Sequence, residues 1–302
     1  MKLTASIRFF ASGLLLASTV VGCTPAASSP GGGRAAPATV PPDDITERLG
    51  DQHVPPAQEG ASVLQSSGQP TQEVVAAYVT DVVQDADRLW TDFFTRQMNL
   101  REPLVSYVVI TPEQQPIRSK CPAPGGGPLD IAHDTPNAYY CSADERSPGY
   151  LGTIYLPVTT MQKMWTGKVL GNISKRGGDF AAAIVTAHEF GHHVVDELHA
   201  QYSERDQVAY GRPAGKWTEL IADCMAGVWA THAYHSGYLT AENYEEAVSA
   251  LEAIGDYQYY APDHHGTPQE RKEALLTGYN GIPNRHAPGA PSACVEKYWK
   301  TG

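Results

Sequence analysis

Residues 188–192 read HEFGH, which places two imidazoles and a carboxylate within five positions. Residues i and i+4 lie on one face of an α-helix, about 6 Å apart along its axis. In a helix, His188 and His192 could therefore bind one Zn²⁺ at about 2.0–2.1 Å from each imidazole nitrogen. Glu189 would flank the metal outside the ligand face, where it could take a proton from a metal-activated water. Such a pattern also arises by chance, so a zinc site requires further residues.

A third ligand is expected, because catalytic zinc sites commonly use three protein ligands and keep a fourth position open. Glu219 is the best candidate, and it lies four residues before Asp223 on a predicted helix. One carboxylate could bind zinc while the other accepts the distal N–H of a ligating histidine. A solvated acidic pair is the alternative interpretation. The neighbouring residues are mostly apolar, however, and indicate a buried helix in which unpaired carboxylates would be costly.

Other polar residues near the motif are weaker ligand candidates. His199 would lie about 10 Å beyond His192 along a continuous helix, and Leu198 occupies the third-histidine position of the extended zinc motif. His193 should point about 100° away and is interpreted as a surface residue or a neighbour of the ligands. Asp196 is the next candidate to accept a histidine N–H. His265 could hydrogen-bond a developing oxyanion or help to bind substrate, although a loop histidine could equally be inert.

The N-terminus has the pattern of a bacterial export signal. Lys2 and Arg8 precede an apolar run at 9–21 that is short for a transmembrane helix. The small residues before Cys23 resemble a lipobox, which predicts a lipoprotein signal peptide over 1–22. An ordinary signal peptide or an uncleaved anchor are the alternatives. We therefore expect a protein attached to the cell membrane through lipid at Cys23, facing the extracytoplasmic side.

Composition favours an acidic globular domain behind a tether. The 302 residues are 42% hydrophobic and carry a net charge of −11, which argues against a nucleic-acid partner. Residues 23–69 are rich in Pro, Gly, Ala and Ser without apolar periodicity, and are predicted to be a flexible tether. Residues 70–302 are predicted to form one metallopeptidase-like domain.

Five cysteines are present, and lipidation of Cys23 would leave four. An even number in an exported chain predicts two disulfides, for which three pairings are possible. We favour Cys121–Cys141, which closes a short Pro- and Gly-rich loop, and Cys224–Cys294, which pins the C-terminal tail to a core helix. Cys224 as a metal ligand is less favoured because better-spaced ligands exist.

The order of predicted elements indicates an α+β fold with helices packed on a small sheet and the HExxH motif on a central helix. Apolar periodicity predicts helices over residues 71–98, 158–170, 179–198, 216–236, 240–257 and 267–278. Asp179 is the expected N-cap of the motif helix, and Thr267 opens a capping box. Strands are predicted over 104–110, 139–141 and 153–156. The remaining segments are predicted as loops at 111–138 and 199–214, the latter a potential lid, and as an irregular tail from 281.

Five runs of the sequence carry a family resemblance: YYCSAD (139–144), TIYL (153–156), AHEFGHHV (187–194), ELIADCMAGVW (219–229) and HGT (265–267). In combination they resemble the bacterial neutral zinc metallopeptidase family. The resemblance implies a zincin-like fold with one Zn²⁺ held by His188, His192 and Glu219, and with Glu189 as base. One departure is the order Gln269-Glu270-Arg271, where the family usually has E-Q-R.

These observations predict an exported, lipid-anchored zinc-dependent hydrolase. A metallopeptidase acting on a peptide or protein substrate is the first hypothesis. An amidase acting on cell-wall peptides would suit the same compartment. A non-catalytic lipoprotein that uses a zincin fold for binding or assembly is the third hypothesis, and the intact Glu189 argues against it. The sequence identifies no protein partner.

Overall fold

The computed structural model describes residues 69–123, 126–147, 149–169, 172–257 and 264–301. The predicted signal peptide (1–22), the lipidation site Cys23 and nearly all of the predicted tether (23–69) lie outside these residues. Within the described ranges, no helix is both long and apolar enough to cross a membrane.

The described residues form a mixed α+β structure, which confirms the predicted fold class at that level. The helices are α1 (Gln72–Asp92), α2 (Val158–Trp165), α3 (Asp179–Asp206), α4 (Lys216–His235), α5 (Ala241–Ile254), α6 (Pro268–Asn280) and α7 (Pro291–Tyr298). A π-helical turn, Phe93–Gln97, continues α1. The strands are β1 (Ser106–Ile110), β2 (Ile117–Pro122), β3 (Pro128–Ile131), β4 (Tyr139–Cys141), β5 (Thr153–Pro157), β6 (Lys168–Val169) and β7 (Asn172–Ile173).

Strand β5 is the middle strand of a three-stranded sheet with the order β1-β5-β4. It runs parallel to β1 and antiparallel to β4. Because side chains alternate along a strand, Ile154 and Leu156 join the apolar core of the helices, whereas Tyr155 packs with the β2–β3 hairpin. All five residues of β5 are buried, since both of its faces are covered. Strand β4 lies at the edge of this sheet.

Helix α3 carries the HEFGH motif and is enclosed on most of its circumference. It contacts α1, α2, α4 and α5 as well as strands β4 and β5. A helix in such surroundings needs apolar residues on several faces, and Phe180, Ile184, Val194 and Leu198 are all buried. The polar residues of the motif therefore sit in a rigid, packed element.

Helices α4 and α6 approach each other backbone to backbone. A Cβ added at Gly278 of α6 would overlap the carbonyl oxygen of Cys224 on α4. The predicted capping box starts α6, since Thr267 and Glu270 exchange side-chain to backbone hydrogen bonds. Cys224 also forms the disulfide with Cys294, which ties α7 to α4. These contacts hold α6 and α7 against α4.

The loop predicted over 111–138 is wrong, because this segment contains the antiparallel hairpin β2–β3. Its prolines stand at or near the strand ends, where a missing N–H is tolerated. Leu129 and Ile131 are buried against Tyr155, which gives the hairpin an apolar face. The disulfide Cys121–Cys141, as favoured from the sequence, joins β2 to β4.

The loop predicted over 199–214 is also wrong in its first half. Helix α3 continues to Asp206 rather than ending at Leu198. Tyr202 and Gln201 are buried in this extension, so tertiary packing stabilises a segment whose sequence is mostly polar. Only the following residues, up to Gly215, form the connection to α4.

Three further boundaries differ from the prediction. Gly178, not Asp179, is the N-cap of α3, and Asp179 lies in the first turn, where a negative charge is favourable. Helix α2 ends at Trp165 and is followed by the β6–β7 hairpin. The tail predicted as irregular contains α7, because Cys294 and Val295 pack into the core.

Candidate metal centre

The structure brings His188, His192 and Glu219 together as the one set of potential metal ligands found among the described residues. Nε2 of His188 lies 3.1 Å from Nε2 of His192. Oε2 of Glu219 lies 3.3 Å from Nε2 of His188, and Oε1 of the same carboxylate lies 3.6 Å from Nε2 of His192. The two imidazole nitrogens and the carboxylate thus form a compact triangle of ligand groups.

This triangle has the size expected for a zinc site. A tetrahedral zinc ion with ligands at about 2.0–2.1 Å keeps its ligand atoms about 3.3 Å apart. Two imidazoles and one carboxylate are also a donor set that zinc accepts in catalytic sites. The residues present therefore fit one Zn²⁺ both in chemistry and in spacing.

Gly191 allows the two ligand-bearing helices to come close. It stands between the two histidines of the motif, and a Cβ there would lie 2.7 Å from the carbonyl oxygen of Ala222 on α4. That distance is too short for a side chain. The absence of a side chain at Gly191 therefore lets Glu219, one turn before Ala222 on α4, reach the histidine pair of α3.

Asp223 pairs with the first histidine of the motif. Nδ1 of His188 lies 2.8 Å from Oδ1 of Asp223, which is fully buried. A hydrogen bond from Nδ1 keeps the proton on that nitrogen and leaves Nε2 free as a donor atom toward the cavity. Asp223 thereby selects the tautomer of His188 that a metal requires.

Arg271 is the main residue of the site that sequence reasoning missed. It lies on α6, is buried, and donates to both carboxylate oxygens of Asp223 at 2.8 Å. A buried carboxylate that accepts from a histidine needs a compensating cation, and this requirement was the available signal. The sequence could not identify which cation supplies it, since α4 and α6 meet only in the folded chain.

Charge also favours a divalent cation here. If both histidines are neutral and all three carboxyl groups are ionised, Glu189, Glu219 and Asp223 outnumber the guanidinium of Arg271 by two negative charges. Burial favours a neutral imidazole, yet Asp223 and Glu219 raise the pKa of His188 to about 10. The buried carboxylates thus stabilise positive charge at the centre of the ligand triangle.

The pKa values of the other two ligand residues are both lowered, but by different causes. Burial lowers the pKa of His192 to about 4. Burial alone would favour a protonated Glu219, but His192 and His188 hold the pKa of that carboxyl well below its ordinary value. A neutral His192 and an ionised Glu219 are the protonation states that bind metals.

Glu189 lies beside this triangle with the environment of a general base. Its side chain is buried, and its carboxylate accepts the backbone N–H of Tyr140 from the edge strand β4. Burial raises the pKa of Glu189 to about 7. A carboxyl group with a pKa near neutrality can both accept and return a proton.

A cavity of about 400 Å³ opens onto the site. Its wall includes the ligand residues, Glu189, Arg271 and part of strand β4. His265 also lines the cavity, with its side chain 44% exposed and Nδ1 lying 3.4 Å from Oδ2 of Asp256. Its predicted role in oxyanion binding stays a prediction.

The remaining candidates lie away from the ligands. His193 is not at the surface: it is fully buried, and its Nε2 donates to the carbonyl of Pro103. His199 donates from Nε2 to the carbonyl of Tyr210. Asp196, the second candidate to accept a histidine N–H, instead bonds to the hydroxyl of Tyr140 and to the guanidinium of Arg212.

Comparison with known proteins identifies the family of this chain. The model of a family described as "Putative neutral zinc metallopeptidase" matches residues 39–285. The chain belongs to this family. The matched range contains all the residues of the candidate metal centre, including the ligand triangle, Glu189 and Arg271.

Two relatives illustrate the likeness of this family member to curated proteins. Uncharacterized protein YpfJ of Escherichia coli strain K12 is 32% identical over 170 residues, which cover 52% of either chain. Uncharacterized protein Mb2605 of Mycobacterium bovis is 29% identical over 166 residues, which cover 48% of this chain and 53% of the relative. The chain thus spans about half the length of the curated relatives it matches. No solved structure matches it significantly.

Replacing Arg271 tests the charge pairing at this site. Arg271→Gln removes the cation that binds both oxygens of the buried Asp223 carboxylate, which should lower the free energy of unfolding by about 3–5 kcal/mol. Adding Asp223→Asn should recover part of that loss, because the uncompensated charge is then gone. Urea denaturation of the metal-stripped protein, followed by tryptophan fluorescence, measures both changes.

Arg118→Gln is the matched control, since Arg118 also pairs with a carboxylate, that of Asp130, but at the surface. An exposed ion pair contributes little to stability. If Arg271→Gln costs no more stability than Arg118→Gln, the proposed pairing is not important for the fold.

Proposed function

We propose that this protein is a zinc-dependent hydrolase, and most directly a metallopeptidase with a zincin-like fold. The observation that carries the proposal is the triangle of His188, His192 and Glu219, with Asp223 behind one ligand and Glu189 beside the set. A purely structural zinc site would close the fourth position with another protein ligand. Here the triangle faces a cavity instead.

Four residues around the ligand triangle have separate roles in the proposed reaction. When bound by the triangle, zinc would polarise a carbonyl group and make a water molecule more acidic. Glu189 would take a proton from the attacking water at its carboxylate and pass it to the leaving amine. His265, which also lines the cavity, would hydrogen-bond the oxygen that becomes negatively charged. Arg271 and Asp223 would keep His188 in the required tautomer.

The cavity wall supports a peptide as the substrate. Strand β4 lies at the edge of its sheet, and Tyr139, Tyr140 and Ser142 line the cavity. An edge strand offers backbone N–H and C=O groups to an extended chain, which can pair with it as a further strand. A peptide bound in this way would cross the cavity beside Glu189, which already accepts a hydrogen bond from the backbone of Tyr140.

Replacing Glu189 tests this mechanism. Glu189→Gln keeps the size of the side chain but removes the base, so hydrolysis of casein or of a quenched peptide pool should fall at least about 100-fold. Zinc content, measured by elemental analysis after dialysis, should stay near that of the wild type. Equal turnover by Glu189→Gln would exclude the proposed base.

Glu197→Gln provides the matched control. Glu197 lies on the same helix, is equally buried and bonds to Gln201 rather than facing the cavity. Burial raises the pKa of Glu197, so that loss of its charge should cost little. The control variant should therefore keep its activity. Absence of hydrolysis in the wild type itself, with zinc bound, would favour a role in binding instead.

We further propose that the protein is exported and anchored to the cell membrane through lipid at Cys23. The lipobox-like sequence supports this, and so do the two disulfides, which are typical of oxidising compartments. Bacteria fed an alkyne-tagged fatty acid should label the wild-type protein but not Cys23→Ser. Equal labelling of both proteins, or of neither, would contradict lipidation at Cys23.

A further inference from the structure

Asp196 and Arg212 form an ion pair on the cavity wall next to the candidate metal centre. Asp196 lies four residues after His192 on α3, so its side chain is on the same face, about 6 Å further along the axis. Its carboxylate accepts from Nη1 of Arg212 at 2.7 Å and from the hydroxyl of Tyr140 at 3.3 Å. All these residues line the cavity.

The accessible end of this pair is its cation. The side chain of Asp196 is only 14% exposed, whereas that of Arg212 is 48% exposed. The other arginine on the cavity wall, Arg271, is 1% exposed and bound to Asp223. Apart from histidines, Arg212 is therefore the accessible cation among the residues that line the described part of the cavity.

Arg212 is also held in place by the segment that carries it. The carbonyl of Gly211 accepts a hydrogen bond from the indole of Trp299 at 2.9 Å. The backbone N–H of Ala214 donates to the carbonyl of Lys300 at 3.0 Å. Because its backbone segment is bound on both sides and its guanidinium is paired with Asp196, Arg212 loses little freedom on binding a ligand. Its remaining N–H groups can form paired hydrogen bonds with a carboxylate.

We propose that Arg212 is a substrate-binding residue that recognises a carboxylate of the peptide, close to the bond that is cleaved. This rests on the proposed peptidase function. An extended peptide advances about 3.3–3.4 Å per residue, and Asp196 lies about one helical turn from His192. The carboxylate therefore lies within about two residues of the scissile bond. It belongs either to an Asp or Glu side chain or to the C-terminus of the substrate.

Binding of paired peptides tests the inference without requiring turnover. The probes are fluorescein-labelled nonapeptides of Ala and Tyr, bound to the full-length zinc-loaded protein carrying Glu189→Gln. One series places Glu or Gln at successive positions and has an amidated C-terminus. The other compares a free C-terminus with an amide. Fluorescence polarisation gives the ratio of the two dissociation constants for each pair.

The expected result is about tenfold tighter binding of the acidic member at one or two positions of one series, as a charge-assisted hydrogen bond would give. Adding Arg212→Gln should bring that ratio to about one, and Arg212→Lys should retain part of it. Arg101→Gln is the matched control, because Arg101 also pairs with a carboxylate of α3, that of Glu204, but outside this cavity. The control should keep the full ratio.

A merely structural Arg212 would give another result, in which Arg212→Gln weakens both members of a pair equally and leaves the ratio unchanged. That outcome overturns the inference, as does the absence of any acidic preference or of any peptide binding before Arg212 is changed. A hydrolysis assay of the protein with an intact Glu189 distinguishes failure of this inference from failure of the proposed function. Cleavage without acidic preference contradicts only the carboxylate site, whereas acidic preference without cleavage contradicts only the peptidase.

Discussion

The rest of the site depends on the contacts of one buried carboxylate, that of Asp223. It accepts hydrogen bonds from His188 of α3 and from Arg271 of α6 while belonging to α4 itself. Three helices thus meet at one charged group that water cannot reach. Such a group is costly unless each of its partners is in place. The packing of these helices and the orientation of His188 therefore depend on the same contacts.

Small residues make this meeting of helices possible. Gly191 lets α3 approach α4, and Gly278 lets α6 approach α4. The disulfide Cys224–Cys294 adds α7 to the same group and starts at the residue next to Asp223. The apolar core surrounds these contacts, so the site is built on rigid helices rather than on loops. A site of this kind holds its groups in place before a substrate arrives, which is what catalysis by positioned charges requires.

Short-range patterns made much of this predictable. The spacing of His188, Glu189 and His192 and that of Glu219 and Asp223 both follow helical periodicity, which is a local property of the chain. The capping box at Thr267 is equally local. In each case the structure has the side chains on the faces that the spacing implies.

Features created by tertiary contacts were not predictable in the same way. Arg271 lies 48 residues from Asp223, and no local pattern connects them. The extension of α3 to Asp206 depends on burial of Tyr202, and the β2–β3 hairpin depends on packing against Tyr155. Its spacing made Asp196 the next candidate after Asp223 to support a ligand histidine. Arg212, which comes from a connecting segment, binds it instead.

The most direct test of this account is a crystal structure of the full chain grown with zinc, with anomalous scattering measured on both sides of the zinc absorption edge. The account predicts one peak in the cavity, about 2.0–2.2 Å from Nε2 of His188, Nε2 of His192 and the carboxylate of Glu219. Asp223 should remain bound to Nδ1 of His188 rather than to the metal. A peak without Glu219 among its ligands, or no peak in the cavity, would contradict the central claim.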